Sequence, residues 1–417
     1  GLFGAKETVA STAPGGRTND VVGVVNGIKQ KLLGGSGIVV SEVGLGTQRW
    51  VSADFNAPDE REVFRMMDLA IRDGGVNLID TAEQYPIPSD DAHPEGLAEA
   101  TIGKWLATDK ALRAKTVIAT KIGGGQRISG KNIITACEDS LRRLGTDYID
   151  VYQFHWPARY TPQSNWGQSL SYRPEMERRS ATWEEQCIAM DKLYREGKIR
   201  GWGSCNDNAF GLTMLAETAR RLGTVPPCSF QNDFSVLNRR TEQDGLAEAS
   251  RPQHANAGFM AYNCLAGGVL TGKYLEVPAA VDDFGANPDR ARLSMKAPRG
   301  RMDDMSWGQT LYRYRTKAAL DATKQYAKIA KRAGMPLTEL SLRWAKDSPQ
   351  VTTVLLGTAS VAQLTQDLEF FRRGKPLPDQ VRAEIDAVHM RNRLPLFSND
   401  RYEADWDNQG QIGEPVP

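Results

Sequence analysis

The chain has 417 residues, and its 52 Lys and Arg against 51 Asp and Glu give a formal net charge of +1. So even a balance leaves no basic footprint for nucleic acid, and no run approaches the roughly 20 apolar residues that a membrane span needs. Five cysteines without a Cys-x-x-Cys pair and four histidines without His-x-x-x-His spacing argue against a disulfide framework and against a metal site. Length alone admits two domains, but an α/β barrel with insertions absorbs it as one.

Residues 1–35 open without a methionine, are rich in Gly, Ser, Thr and Ala, and lack the apolar core of a signal peptide. They read as a trimmed start or as the mature end left after a targeting sequence is removed. That places the protein in the cytosol or in an organelle such as the plastid stroma, not outside the cell. Weak helical periodicity over Val21 to Leu33 predicts a short docked helix. Lys31 to Val40 reads as a hairpin turning on Gly34, Gly35 and Gly37.

From there strands and helices alternate. Val43–Thr47 is the first barrel strand, and Glu60–Asp73 carries Val63, Met66, Met67, Ala70 and Ile71 at the spacing of one helix face, with Gly74-Gly75 as its stop. Strands ending at Asp80, Lys121 and His155 alternate with helices over Gly96–Ala107 and Asn132–Leu144. Then follow a helix Thr182–Glu196, strand Ile199–Cys205, helix Ala209–Leu222, strand Ser229–Asp233, a weak helix around Gly245, strand Gly258–Tyr262, helix Thr316–Ala333, strand Thr353–Leu356 and helix Ala362–Phe371. Eight strands, each followed by a helical segment, predict a single (β/α)₈ barrel. The expected division is an N-terminal extension over 1–30, the barrel over 31–390 and a tail over 391–417.

Three stretches fall outside the barrel wall: Trp156–Ala181, Leu275–Tyr314 and Arg391–Pro417. Long loops after strand C-termini build the substrate pockets of barrel enzymes.

Three apolar runs each deliver an ionisable group at the same end. Asn77-Leu78-Ile79-Asp80 leads into Tyr85, Thr116–Thr120 ends in Lys121, and Tyr148–Phe154 ends in His155. In a parallel barrel all such ends share one face, so Asp80, Tyr85, Lys121 and His155 converge. A tyrosine of pKa ≈ 10 works as an acid or base near neutrality only with help from a neighbouring cation. Lys121 can supply that charge, Asp80 can hold Lys121 ionised, and His155 can donate to a carbonyl oxygen.

With those residues in their order, the chain resembles the aldo-keto reductases, over roughly Lys31 to His389. Asp80, Tyr85, Lys121 and His155 fall on that family's catalytic positions. Within the family it is most similar to the Tas-like branch, through Asp80-Thr81-Ala82-Glu83-Gln84-Tyr85-Pro86, Gln153-Phe154-His155-Trp156-Pro157 and Leu270-Thr271-Gly272-Lys273-Tyr274, and more distantly to potassium-channel β subunits.

The resemblance implies NADP(H) as cofactor and a small-molecule aldehyde or ketone as substrate. By it, Asn206 and Gln231 bond the nicotinamide carboxamide, with Cys205 where a serine is usual, and Tyr262 stacks on the ring. Leu265 to Lys273, including Gly268, forms the loop over the pyrophosphate. Gly357, Thr358, Ser360 and Gln363 meet the 2′-phosphate and adenine. They are neutral where Lys or Arg is common, and Asp367 replaces an asparagine against the adenine. NADPH is expected over NADH despite those departures.

The aromatics Trp156, Tyr160, Trp166, Tyr172 and Trp183 read equally as substrate walls or as pins holding their loop to the barrel rim. Arg159, Arg173, Arg178 and Arg179 read as a solvated charged face or as a site for an anionic group. Two rivals to a reductase stand beside it: a slow-turnover nucleotide-binding sensor or assembly subunit acting through a protein partner or homo-oligomer, and a structural component without a cofactor. The cluster of four costly polar groups at one mouth speaks against the last.

Overall fold

Wholly apolar runs between helices form parallel strands because both strand faces are covered, one by the barrel interior and one by the helices. The computed structural model describes residues 15–162, 172–275, 300–303, 314 and 316–397. Three antiparallel strands, β1 (Val21–Val25), β2 (Ile28–Leu32) and β3 (Val39–Ser41), form a small sheet. Eight parallel strands follow: β4 (Val43–Gly46), β5 (Leu78–Asp80), β6 (Val117–Ile122), β7 (Ile149–Phe154), β8 (Ile199–Cys205), β9 (Ser229–Asp233), β10 (Gly258–Tyr262) and β11 (Val351–Leu356). They close in the order β10-β11-β4-β5-β6-β7-β8-β9, and β11 pairs with β4 through Val354–Val43 and Leu356–Leu45. The predicted (β/α)₈ barrel is the fold.

Side-chain caps fix where six of the helices begin. Asp59, Ser129, Thr182, Asn208, Thr316 and Ser360 each accept the backbone N–H three residues on. Helices Gly130–Leu144 and Ala209–Leu222 end at Gly145 and Gly223, both left-handed.

The differences from expectation are local. Val21–Leu33 is a hairpin, not a helix: Asn26 and Gly27 both have positive φ and pair Val25 with Ile28, the geometry of a two-residue turn between β-branched strands. The Lys31–Val40 pairing is as predicted, but β2 starts at Ile28, so the sheet runs through residue 30. Around Gly245 there is a left-handed turn between two single helical turns, Arg240–Gln243 and Leu246–Ala249. Two helices, Leu337–Asp347 and Asp379–Arg391, were not anticipated. The first packs on β11 and on helix Val361–Arg372, and the second packs on Lys317–Arg332 outside the barrel. Trp166, most of the 275–314 insertion, residues 1–14 and residues 398–417 lie outside the described residues.

The small sheet is the floor of the barrel. Leu33, Ile38 and Val40 pack in one buried cluster with Leu78, Val117, Ala119, Val151, Met260 and Leu355 from the barrel strands. Gly34 permits this approach: its φ is +60°, and a Cβ there would lie 2.2 Å from the Cys228 carbonyl oxygen. The cluster closes this end of the barrel with apolar side chains, and the Asp80–Lys121 pair lies at the opposite end.

Candidate active site

At the C-terminal end of the barrel, β5 and β6 place Asp80 and Lys121 side by side. The Lys121 ammonium, fully buried, donates to Asp80 Oδ2 at 2.6 Å and to the Thr81 carbonyl at 2.8 Å. Asp80 Oδ1 accepts from Gln231 Nε2 at 2.9 Å and from Gln153 Nε2 at 3.4 Å. A buried ion pair holds only when its remaining lone pairs and protons are satisfied; here two amides donate to the carboxylate and a carbonyl accepts from the ammonium.

Tyr85 is carried by the loop after β5, pinned by Glu83. The Glu83 carboxylate accepts from Gly123 N–H at 2.8 Å and from Arg127 Nε at 2.9 Å, tying the loops after β5 and β6 together. Lys121 Nζ lies 5.0 Å from the Tyr85 ring centroid, and the His155 ring meets Tyr85 edge-on with centroids 5.6 Å apart. The structure thus brings all four predicted residues together.

Burial, then the Asp80 carboxylate, then Cys205 hold the Tyr85 phenol well above its ordinary value of 10.0. Lys121 spends its charge on Asp80, and no hydrogen bond joins it to the Tyr85 hydroxyl among the described residues, so the hydroxyl keeps its proton. Burial, then Lys121, hold His155 well below 6.5, so its imidazole is neutral. His155 Nδ1 is buried without a partner.

A cavity of ≈ 420 Å³ opens on this cluster and extends to the start of helix Val361–Arg372. Of the residues predicted to hold a nucleotide, Cys205, Asn206, Gln231, Tyr262, Leu265, Gly268, Lys273, Gly357, Thr358, Gln363 and Asp367 line it. Ser360 does not. Its hydroxyl caps the helix by accepting from Gln363 N–H, while Gln363 Oε1 accepts from Ala359 N–H at 2.9 Å.

Asn206, left-handed at φ 56°, donates to the His155 carbonyl at 2.9 Å and accepts from the Tyr262 hydroxyl. Gly267 and Gly268 are left-handed in succession, at φ 65° and 99°, in a turn closed by the Gly268 N–H donating to the Leu265 carbonyl at 2.9 Å, with Lys273 beside it on the cavity wall. Burial alone raises Asp367 to about 7.

Sequence reasoning missed several lining residues. Thr47, Gln48, Arg49 and Trp50 follow β4, and their place after a barrel strand was the available signal. Arg301 comes from the long insertion, where nothing in the sequence marks it. Burial first and Arg49 second lower it to about 10. Of the aromatics, Trp156 lines the cavity. Trp183 instead meets Phe210 edge-on, and Tyr160 packs on Tyr172 with centroids 5.4 Å apart. Arg159 binds Asp207 at 2.8 Å and lies over Trp183, so these groups fasten the loop.

A polar cluster at the mouth of a closed parallel barrel, opening into a cavity with a glycine turn and cations along it, is the arrangement of a barrel enzyme's active site. The sequence profile described as the Aldo/keto reductase family matches residues 42–389, and the chain belongs to that family. Protein tas of Escherichia coli (strain K12) is 34% identical over 367 residues, covering 85% of this chain and 95% of that protein, and Protein tas of Shigella flexneri matches equally. An Aldo-keto reductase of Babesia bovis is 31% identical over 299 residues, covering 68% of this chain and 99% of its own. Among the described residues no helix is long and apolar enough to cross a membrane, and no group of three or more His, Cys, Asp or Glu could hold a metal ion.

Proposed function

We propose that the protein is an NADP(H)-dependent reductase of aldehydes or ketones, with Tyr85 as the general acid. The observation that supports it best is the single cavity that has Asp80, Tyr85 and His155 at one end and Gly268, Lys273, Arg301 and Thr358 along the rest. A dinucleotide needs that extended shape. Its phosphates need cations and room for close approach, which Lys273 and Arg301 and the side-chain-free Gly267-Gly268 turn supply along the cavity wall. The residues therefore fit the group, which when bound supplies a hydride.

The protein's own part is to move a proton and hold the carbonyl. Tyr85, kept protonated by burial, donates to the developing alkoxide, and neutral His155 donates a hydrogen bond to the same oxygen. Lys121 stabilises the phenolate once the proton has left, because Asp80 already fixes its ammonium close to the ring, while the Asp80 carboxylate itself favours the protonated phenol. In the reverse direction the same phenolate is the base.

NADPH is the proposed partner over NADH, by a small margin of about tenfold or less, since a neutral hydroxyl such as Thr358 recognises a phosphate less strongly than a guanidinium does. The deciding experiment is a titration of tryptophan fluorescence with NADPH and with NADH, followed by a carbonyl screen on wild type and Tyr85→Phe. Saturable quenching with Tyr85-dependent turnover is expected. No quenching by either nucleotide overturns the reading, and binding with no turnover of any carbonyl favours the assembly-subunit reading.

A further inference from the structure

Opposite the cavity mouth, β1 is an edge strand with no protective charge. Its sequence is Val21-Val22-Gly23-Val24-Val25, and the four valines are 52, 53, 62 and 48% exposed. Among the described residues it pairs only with β2. Soluble proteins blunt such edges with Lys, Pro, bulges or very short strands. The one such device here is the bulge at Val22, where the register passes from Val21–Lys31 to Gly23–Gln30. Four exposed valines on an open edge are a place for another strand.

The strand is held rigid for pairing. Asn26 bonds the Asp73 carbonyl at the turn, Asn19 N–H donates to the Leu32 carbonyl at 3.0 Å, and Thr18 N–H donates to Asn256 Oδ1 at 2.8 Å. A strand fixed at both ends loses little further freedom when it pairs.

We propose that β1 is a homodimer edge, pairing antiparallel with β1 of a second copy about a two-fold axis through Gly23. The sequence chooses this occupant because it is a palindrome. Antiparallel pairing about Gly23 sets Val22 against Val24 of the second copy and Val21 against Val25, and the flanking Asp20 falls opposite Asn26. Every valine meets a valine, and no like charges face each other, which is the self-complementarity an isologous interface requires. Gly23 at the axis lets the backbones come close. The result is a six-stranded sheet spanning two barrels, with both cavities directed away from the join.

A strand of this length covers less than the roughly 1,200 Å² of a standard stable interface, so the dimer dissociates on dilution. Sedimentation velocity of the full chain from about 1 μM to about 1 mM spans the relevant range. A concentration-dependent shift from monomer to dimer is expected, abolished by Val22→Lys/Val24→Lys with circular dichroism unchanged.

Cysteine cross-linking tests the axis without charge changes. A Cβ at Gly23 meets nothing within 4 Å, and the five native cysteines are buried. Gly23→Cys therefore places two thiols opposite each other and forms a covalent dimer under mild oxidation. Val25→Cys faces valine and does so at least tenfold more slowly. A wild type that stays monomeric at every concentration, a double-lysine variant that dimerises like wild type, or equal cross-linking of the two cysteine variants overturns the proposal.

Discussion

The Gln231 amide donates to Asp80 Oδ1 at 2.9 Å across the barrel interior. The two residues belong to strands on different sides of the barrel, β9 and β5, so the carboxylate that fixes Lys121 is itself fixed from the side proposed to face the nicotinamide. Gln231→Leu is expected to weaken nucleotide binding and turnover together. Gln231→Glu should be worse, because it sets two carboxylates against each other.

Tyr85→Phe removes the proposed proton donor and little else. Reduction should fall by about 10²- to 10⁴-fold, with NADPH quenching and thermal midpoint unchanged. A fall of less than tenfold would remove Tyr85 from the general-acid role.

Lys121→Met leaves the Asp80 carboxylate buried without its cation. Breaking one side of a buried pair costs about 3–5 kcal/mol, and urea denaturation would read this as a lower midpoint at unchanged slope. Adding Asp80→Asn should recover part of the loss; no recovery would mean that packing, not charge, sets the effect.

The pH dependence separates His155 from Asp367. With its pKa held low, His155 binds fewer protons folded than unfolded, so its contribution is present above 6.5 and is lost as pH falls below it. Asp367 has the opposite sign. Raised from 3.8 to about 7, it binds more protons when folded, so stability falls as pH rises through that window. Asp367→Asn should therefore stabilise by about 3 kcal/mol more at pH 8 than at pH 5. An equal effect at both pH values would mean the carboxyl is not desolvated.

Glu62 Oε1 accepts from Val361 N–H at 2.8 Å, so an internal carboxylate already occupies part of the helix start that a 2′-phosphate would use. Glu62→Gln is expected to raise NADPH affinity by about threefold to tenfold and to leave NADH nearly unchanged. Paired fluorescence titrations read both, and an equal change for the two nucleotides would separate Glu62 from phosphate recognition.

Asp80, Lys121 and His155 could be read from the sequence because each is an ionisable residue ending an apolar run, and a parallel barrel gathers such ends on one face. The Asn26-Gly27 turn was also written there, since Asn-Gly between β-branched runs marks a hairpin, but weak helical periodicity outweighed it. Leu337–Asp347 was hidden by the stronger pattern of Lys317–Arg332 just before it. Arg301 and the Glu62–Val361 bond were not legible. One sits deep in an insertion, and the other joins residues 299 apart, a contact that only the closed barrel creates.

The hydrophobic floor built from Leu33, Ile38 and Val40 also governs traffic. With that end filled by side chains, the barrel is a blind well and its reactants share one doorway. Under the proposed reductase reading, a nucleotide lying along the walls would arrive before a carbonyl resting above it, and the alcohol would depart before the spent nucleotide. On that reading the order of binding follows from a small sheet at the far end of the barrel from Tyr85 and His155.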